Sequence, residues 1–343
     1  MRFFTWLAVC LFLFGSCATT KLEIEVLHPP QTGLVEPPQP MALFNNIDSE
    51  FALTELYRNG TFIEQINAQN NYIQHYTLVG ISKAFKEVNY YTPQIADSFK
   101  VNPLSRMKSG PLPGKALEAI FDKIDADLLL VLEGYDASID ANGQVTYSAP
   151  VDRSYGTVRV PYFDGSQTVS MTVFFRVYNR NGEVLSQSQV SDQLTSMASG
   201  ASLQEVHFNM PDEASMLEQT ALFVGSNIAK MVSLHWKDVQ RTMYLYGNDK
   251  LVEAGNLAIK GDWPQATDLW FDLAGSDRDK IAEKASYNMA LASEMAGDLD
   301  LAITWAERCV ENYDSRLARS YLQVLKQRSK DLESFKPYLS SKD

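Results

Sequence analysis

Cysteine and histidine are scarce in this chain of 343 residues, which has three of the first and four of the second. Three cysteines exclude a disulfide-knotted scaffold. The histidines are His28, His75, His207 and His235, no two closer than 28 residues and none in a His-x-x-x-His or His-Glu pattern. A locally built zinc site is thereby excluded. Positive charge is short as well: 30 Lys+Arg face 42 Asp+Glu, a net charge of −12. Such a surface repels phosphate backbones, so no nucleic-acid partner is expected. No Gly-x-Gly-x-x-Gly, P-loop or Gly-x-Ser-x-Gly pattern occurs. No cofactor and no metal are expected, and the chain reads as a non-enzyme.

What is present begins with one apolar run, Phe3 to Phe14, broken only by Thr5 and preceded by Arg2. It is too short to span a bilayer, which takes about 20 residues. Gly15, Ser16 and Cys17 follow. Small residues after a short apolar core read as a secretory signal, and a Cys directly after them resembles the lipobox of bacterial lipoprotein precursors. That resemblance implies residues 1–16 as signal peptide and lipidation of Cys17. Several acyl chains give stable anchoring where one is marginal, so the expected location is the outer membrane, lipid-anchored. Residues 17–40, with five prolines between 29 and 40, form the tether.

The 45% apolar content is enough for two core-bearing domains over this length. Between 41 and 233 the pattern mixes strands and helices. Lys21–Leu27, before it, alternates as a strand, and Met41–Asn45 reads as a buried one. Phe62–Phe85 carries helical spacing, Val88–Tyr91 reads as a short strand, and Gly114–Lys123 as a helix. Leu128–Leu132 are five consecutive apolar residues, the mark of a strand covered on both faces. Asn142-Gly143 predicts a hairpin turn, with a second hairpin or an ordered loop over 144–163. Thr168–Tyr178 alternates, Asn181-Gly182 turns the chain, and a strand follows over 183–191. Residues 194–210 read as loop. Asp212 caps a helix whose inner face is Leu217, Ala221, Val224, Ile228 and Met231. This order predicts an α/β sandwich.

Three motifs imitate chemistry and fail on their spacing. Ser105-x-x-Lys108 matches the nucleophile pair of penicillin-binding proteins, but the nearest basic triplet, Lys108-Ser109-Gly110, needs the same lysine, and Pro103, Pro111 and Pro113 break any helix. Ser138–Gly143 imitates a calcium loop whose twelfth position, Ala149, lacks the bidentate Glu. Asp122, Asp125 and Asp127 straddle a helix-to-strand junction and read as capping or solvated groups. Cys309 reads as a packing residue.

After residue 248 strand patterns stop and a repeat of period 36 begins: Gly261-Asp262-Trp263 with Ala266 matches Gly297-Asp298-Leu299 with Ala302. This resembles tetratricopeptide helix pairs, in which Gly makes the turn and Ala the close crossing. The resemblance implies an all-α domain over 249–343 with a concave face. The expected partner-binding residues on it are Trp263, Trp270, Tyr287, Asn288 and Trp305. Residues 234–248 read as a connecting helix, with Trp236, Arg241 and Tyr244 as interdomain residues.

The order of these features, from Cys17 through the Asp127–Gly134 strand, His235-Trp236…Arg241…Tyr244 and Gly261-Asp262-Trp263…Ala266…Trp270, resembles an uncharacterised Bacteroidetes lipoprotein family. The sandwich resembles the TolB N-terminal and curli-secretion lipoprotein type in topology. Ala18, Thr19, Thr20 and Lys21 lack the acidic run that resembles a surface-export signal in some of these lipoproteins, which favours the periplasmic face. The expectation is an α+β protein that binds an unknown envelope protein as a scaffold or accessory subunit. The alternatives are an envelope-polymer enzyme whose site is assembled from distant residues, and a ring-forming secretion component.

Overall fold

The computed structural model describes residues 19–47, 53–58, 61–67, 72–96, 112–147, 151–153, 156–158 and 161–339. Cys17, the signal segment and Ser105–Lys108 lie outside the described residues. The elements run β1 (Thr19–His28), β2 (Pro40–Asn45), β3 (Leu53–Arg58), β4 (Thr61–Asn67), α1 (Tyr72–Val88), β5 (Thr92–Ile95), α2 (Gly114–Phe121), β6 (Leu128–Tyr147), β7 (Val151–Arg153) and β8 (Gly156–Val158). They continue with β9 (Pro161–Asn179), β10 (Val184–Gly200), α3 (Leu203–Asn209), α4 (Glu213–Val232), β11 (His235–Tyr244), α5 (Asp249–Ile259), α6 (Trp263–Ala274), α7 (Asp279–Met295), α8 (Leu299–Tyr313), α9 (Arg316–Asp331) and α10 (Lys336–Leu339). The protein is mixed α+β, an N-terminal sheet region followed by an all-helical region from α5 onward. It divides into two units: residues up to His28 with Trp236–Lys336, and Pro29–His235 with the chain end.

The second unit is built on a five-stranded sheet of order β10-β9-β6-β2-β5. β2 runs parallel to β5 and β6, and β6, β9 and β10 are antiparallel neighbours. Leu128–Leu132 are all buried, as a strand covered on both sides requires. Leu129 and Val131 join Ala42 and Phe44 beneath Leu117, Ile120 and Phe121 of α2. Leu128, Leu130 and Leu132 point the other way by strand alternation; on β2, α1 supplies packing. Farther along β6 only alternate residues are buried, Ala137 and Ile139, because α2 no longer reaches there and one face is open.

Helices α1 and α4 cross with almost no gap. A Cβ added at Gly225 would sit 2.2 Å from the Thr77 carbonyl oxygen, and one at Gly80 2.3 Å from that of Leu222. Both obstacles are backbone and cannot swing aside. Gly225→Ala is therefore expected to destabilise, although Ala is the better helix former by up to about 1 kcal/mol. Overpacking typically costs about 1–3 kcal/mol, and a drop in urea midpoint at unchanged slope is the readout.

Several expectations are corrected. Thr61–Asn67 is strand and the helix starts at Tyr72, so the helical spacing of Phe62–Phe85 holds only in its second part. Val88–Tyr91 ends a helix: Asn89, at φ 53°, stops α1, and the strand comes after it. Asn142-Gly143 is not a turn; both residues lie inside β6, paired with Ser166 and Gly165 of β9. The alternation on either side continues through them, and β6 extends to Tyr147 with the β7–β8 hairpin beyond. Residues 194–210 are strand and helix, held by the β9 register and by Ser202 capping α3. The Asn181-Gly182 turn forms as expected, with Gly182 at φ 80°.

The first unit holds four helices in two helix–turn–helix pairs, α5–α6 and α7–α8, then α9. Gly261 and Gly297 turn them at φ 86° and 81°, where an L side chain is strained. The residues after these glycines, Asp262 and Asp298, cap α6 and α8 through Gln265 N–H and Leu301 N–H. The connecting helix expected over 234–248 is instead strand β11, which pairs with β1. Val239, Arg241 and Met243 turn inward while Asp238 and Gln240 are exposed, a period of two. Ile24 and Val26 of β1 and Met243 of β11 join the core of the helices. Trp236, expected to be buried in that helix, is 48% exposed.

Candidate functional site

The aromatic residues singled out on the helical repeat lie close together, but most face inward. Trp270, Tyr287, Asn288 and Trp305 are all buried, and the three aromatic rings share one apolar cluster with Leu251, Leu291 and Leu325. Trp263 is half-buried and meets Trp270 edge-on at 6.3 Å between ring centres. Arg308 stacks over the Trp305 ring at 5.1 Å. A partner could reach little of Trp270 or Tyr287 in this arrangement. Tyr244 of the two-stranded ribbon covers Tyr287 edge-on, and Trp263 of α6 meets Trp270.

Asn288 shows how the ribbon is held. Its amide accepts from Tyr244 N–H at 2.9 Å and donates to Tyr244 C=O at 2.7 Å. One side chain thus satisfies both backbone groups of a strand residue, as a neighbouring strand would. Glu294, one and two-thirds turns farther along α7 and fully buried, takes both oxygens to Arg241, Nε and Nη2 each at 2.8 Å. Tyr321 and Arg328 donate to the same carboxylate, and Arg328 also reaches Leu27 C=O at 3.3 Å. Burial alone would raise the Glu294 pKa; the hydrogen bonds from Arg241 and Tyr321 and the charges of Arg241 and Arg328 outweigh it and hold it low. Tyr321, buried beside this carboxylate, is pushed well above the usual phenol range. Arg241 and Tyr244 are therefore anchors of β11 on α7.

Cys309 is buried, its thiol 3.2 Å from Glu283 C=O, and burial pushes its pKa up to about 12. Such a thiol is a packing group, not a nucleophile. Arg180 pairs with Asp127 at 3.2 Å at the junction read as acidic. Among the described residues, no group of three or more His, Cys, Asp or Glu is placed to hold a metal ion.

The other unit presents two further features. The first is a polar sheet face. Asp136, Ser138 and Asp140 of β6 stand opposite Thr172, Ser170 and Thr168 of β9, and these stand opposite Ser191, Gln193 and Thr195 of β10. Hydroxyl pairs Thr172–Ser191 at 2.8 Å and Thr168–Thr195 at 2.9 Å tie the strands. A shallow concavity of about 530 Å³ lies there. Beside it Arg176 and Tyr178 donate to Glu133, whose side chain a bulge in β6 aims between them.

The second is apolar. At the far end of the same sheet, Val145 and Tyr147 of β6 and Leu203 and Phe208 of α3 are all exposed, Phe208 to 86%; Met197 and Tyr162, also exposed, lie on the opposite face by strand alternation. The strand register brings Val145, Phe163 and Gly200 side by side, and Leu203 lies against Gly143. Scattered apolar residues on a surface need no account, but a cluster does. The sequence reads the α3 residues as loop, because no periodicity over seven helical residues distinguishes a buried from an exposed face.

Residues 42–244 match a family model described as a domain of unknown function, DUF8603, which covers more than half of the chain. The chain belongs to this family. In DUF8603 terms the matched region runs from β2 to the end of β11. A second model, domain of unknown function DUF6340, matches residues 252–327, from α5 into α9. The DUF8603 and DUF6340 regions agree with a two-part family of N-terminal and C-terminal regions. No curated protein sequence matches the chain. Among solved structures, a neuraminyllactose-binding hemagglutinin homolog from Helicobacter pylori is similar over 60% of this chain and 90% of its own, at 10% identity and a TM-score of 0.23. A likeness at that level carries no argument about fold or function.

Proposed function

We propose that the protein is a non-enzymatic lipoprotein, anchored through Cys17 to the periplasmic face of the outer membrane, that holds a protein partner as a scaffold or accessory subunit. The apolar run ending at Gly15-Ser16-Cys17 supports the anchor. The exposed apolar end of the sheet carries the binding reading, because side chains such as Phe208 and Leu203 gain most by leaving water. Aromatic side chains are also enriched at the centres of protein interfaces. Tethering would raise the effective concentration of any partner on the same membrane. The helical repeats, tetratricopeptide-like in this reading, would then serve as a packed support.

The test combines lipid labelling with site-specific cross-linking in cells. Labelled fatty acid should enter the wild-type chain and not Cys17→Ser. A photoreactive residue at 208 or 203 should cross-link one protein, and the same residue at Phe271, exposed on α6, should not. Equal cross-linking from all three positions, or from 271 alone, would sink the reading of the sheet end as the binding surface.

A further inference from the structure

We infer that β10 is a homodimer edge, pairing antiparallel with β10 of a second copy of this chain. The strand is 17 residues long and stands at the end of the sheet order, and among the described residues no strand pairs with its outer side. An edge of that length exposes a row of backbone donors and acceptors that proteins ordinarily blunt with lysines, prolines or bulges. Between Val184 and Gly200 there is no lysine and no proline, and the only charge is Asp192. The only register shift lies between Val184 and Ser186, which leaves the remainder regular. Asp192 is turned away from the open face and accepts from Asn227 of α4 at 2.7 Å.

The choice of a second copy as occupant rests on charge and on side-chain chemistry. The chain carries −12 overall, so two copies repel wherever acidic surface meets acidic surface. The open face of β10 carries Gln187, Gln189, Ser191, Gln193 and Thr195, none of them charged. Amides and hydroxyls both donate and accept, so each matches its own kind in an isologous pair. The molecule already uses this chemistry across strands, in the Thr172–Ser191 and Thr168–Thr195 pairs. This inference does not depend on the lipid anchor or on the partner at the apolar end.

The experiment uses the full chain purified from membranes in mild detergent, with mass measured by light scattering across a dilution series. A particle of two chains is expected, and Ser191→Lys/Gln193→Lys should weaken association at least tenfold while the circular dichroism spectrum stays unchanged. Single cysteines at Gln189, Ser191, Gln193 and Thr195 locate the edge, since only residues near a twofold axis meet their own copies. Disulfide yield should peak at one position and fall on either side. A single-chain mass at every concentration overturns the inference. So does a dimer that the lysines leave intact, or one that no β10 cysteine links.

Discussion

Replacing Glu294 with alanine is expected to cost about 3–5 kcal/mol, the usual penalty for removing one partner of a buried ion pair. The variant would leave Arg241 and Arg328 inside the first unit without the carboxylate that both now contact, and Tyr321 without its acceptor. Loss should be read from the urea midpoint, and salt should change it little because the pair is buried. Glu294→Gln keeps the shape and removes only the charge, so its cost should be smaller. The sign of the pH dependence follows from the depressed carboxylate. Between the folded and unfolded pKa values the unfolded chain binds the extra proton, so stability rises with pH there. The contribution is complete above the unfolded value near 4.5 and is lost as pH falls through the lower folded value. A stability profile from neutral to acid pH should lose part of its acid slope in Glu294→Gln. An unchanged slope would show that this carboxylate does not contribute to it.

Trp270→Ala is the second large effect, about 3–5 kcal/mol for truncating a buried Trp. Trp270 is fully buried, with the Trp263 ring meeting it edge-on, so truncation leaves a cavity in the core of the helices. Trp263→Ala should cost clearly less, because part of that ring is already in water. The comparison separates packing from recognition. A packing role predicts that Trp270→Ala lowers the midpoint and, at a temperature where it remains folded, leaves cross-linking from position 208 intact. Loss of that cross-link in a folded Trp270→Ala would return the aromatic cluster to the binding surface.

These expectations rest on different levels of the molecule. Periodicity within one segment determined much of the second unit: the unbroken Leu128–Leu132 run, the alternation of Thr168–Tyr178, the Asn181-Gly182 turn and the inner stripe of α4. Each records which faces of an element are covered, and neighbours a few residues away suffice to show it. The glycines at 261 and 297 likewise announced the helix turns through a backbone conformation that other residues resist. The tertiary structure alone decided that β11 is a strand. Its alternation is masked by charged and polar residues whose partners, Asn288 and Glu294, lie 44 and 53 residues away, and its neighbour β1 lies at the other end of the chain. It also decided that Trp270 and Tyr287 face the core while Phe208 and Met197 face water. Residue type sets how much a side chain gains by leaving water; only the packed neighbours determine which side chains do so.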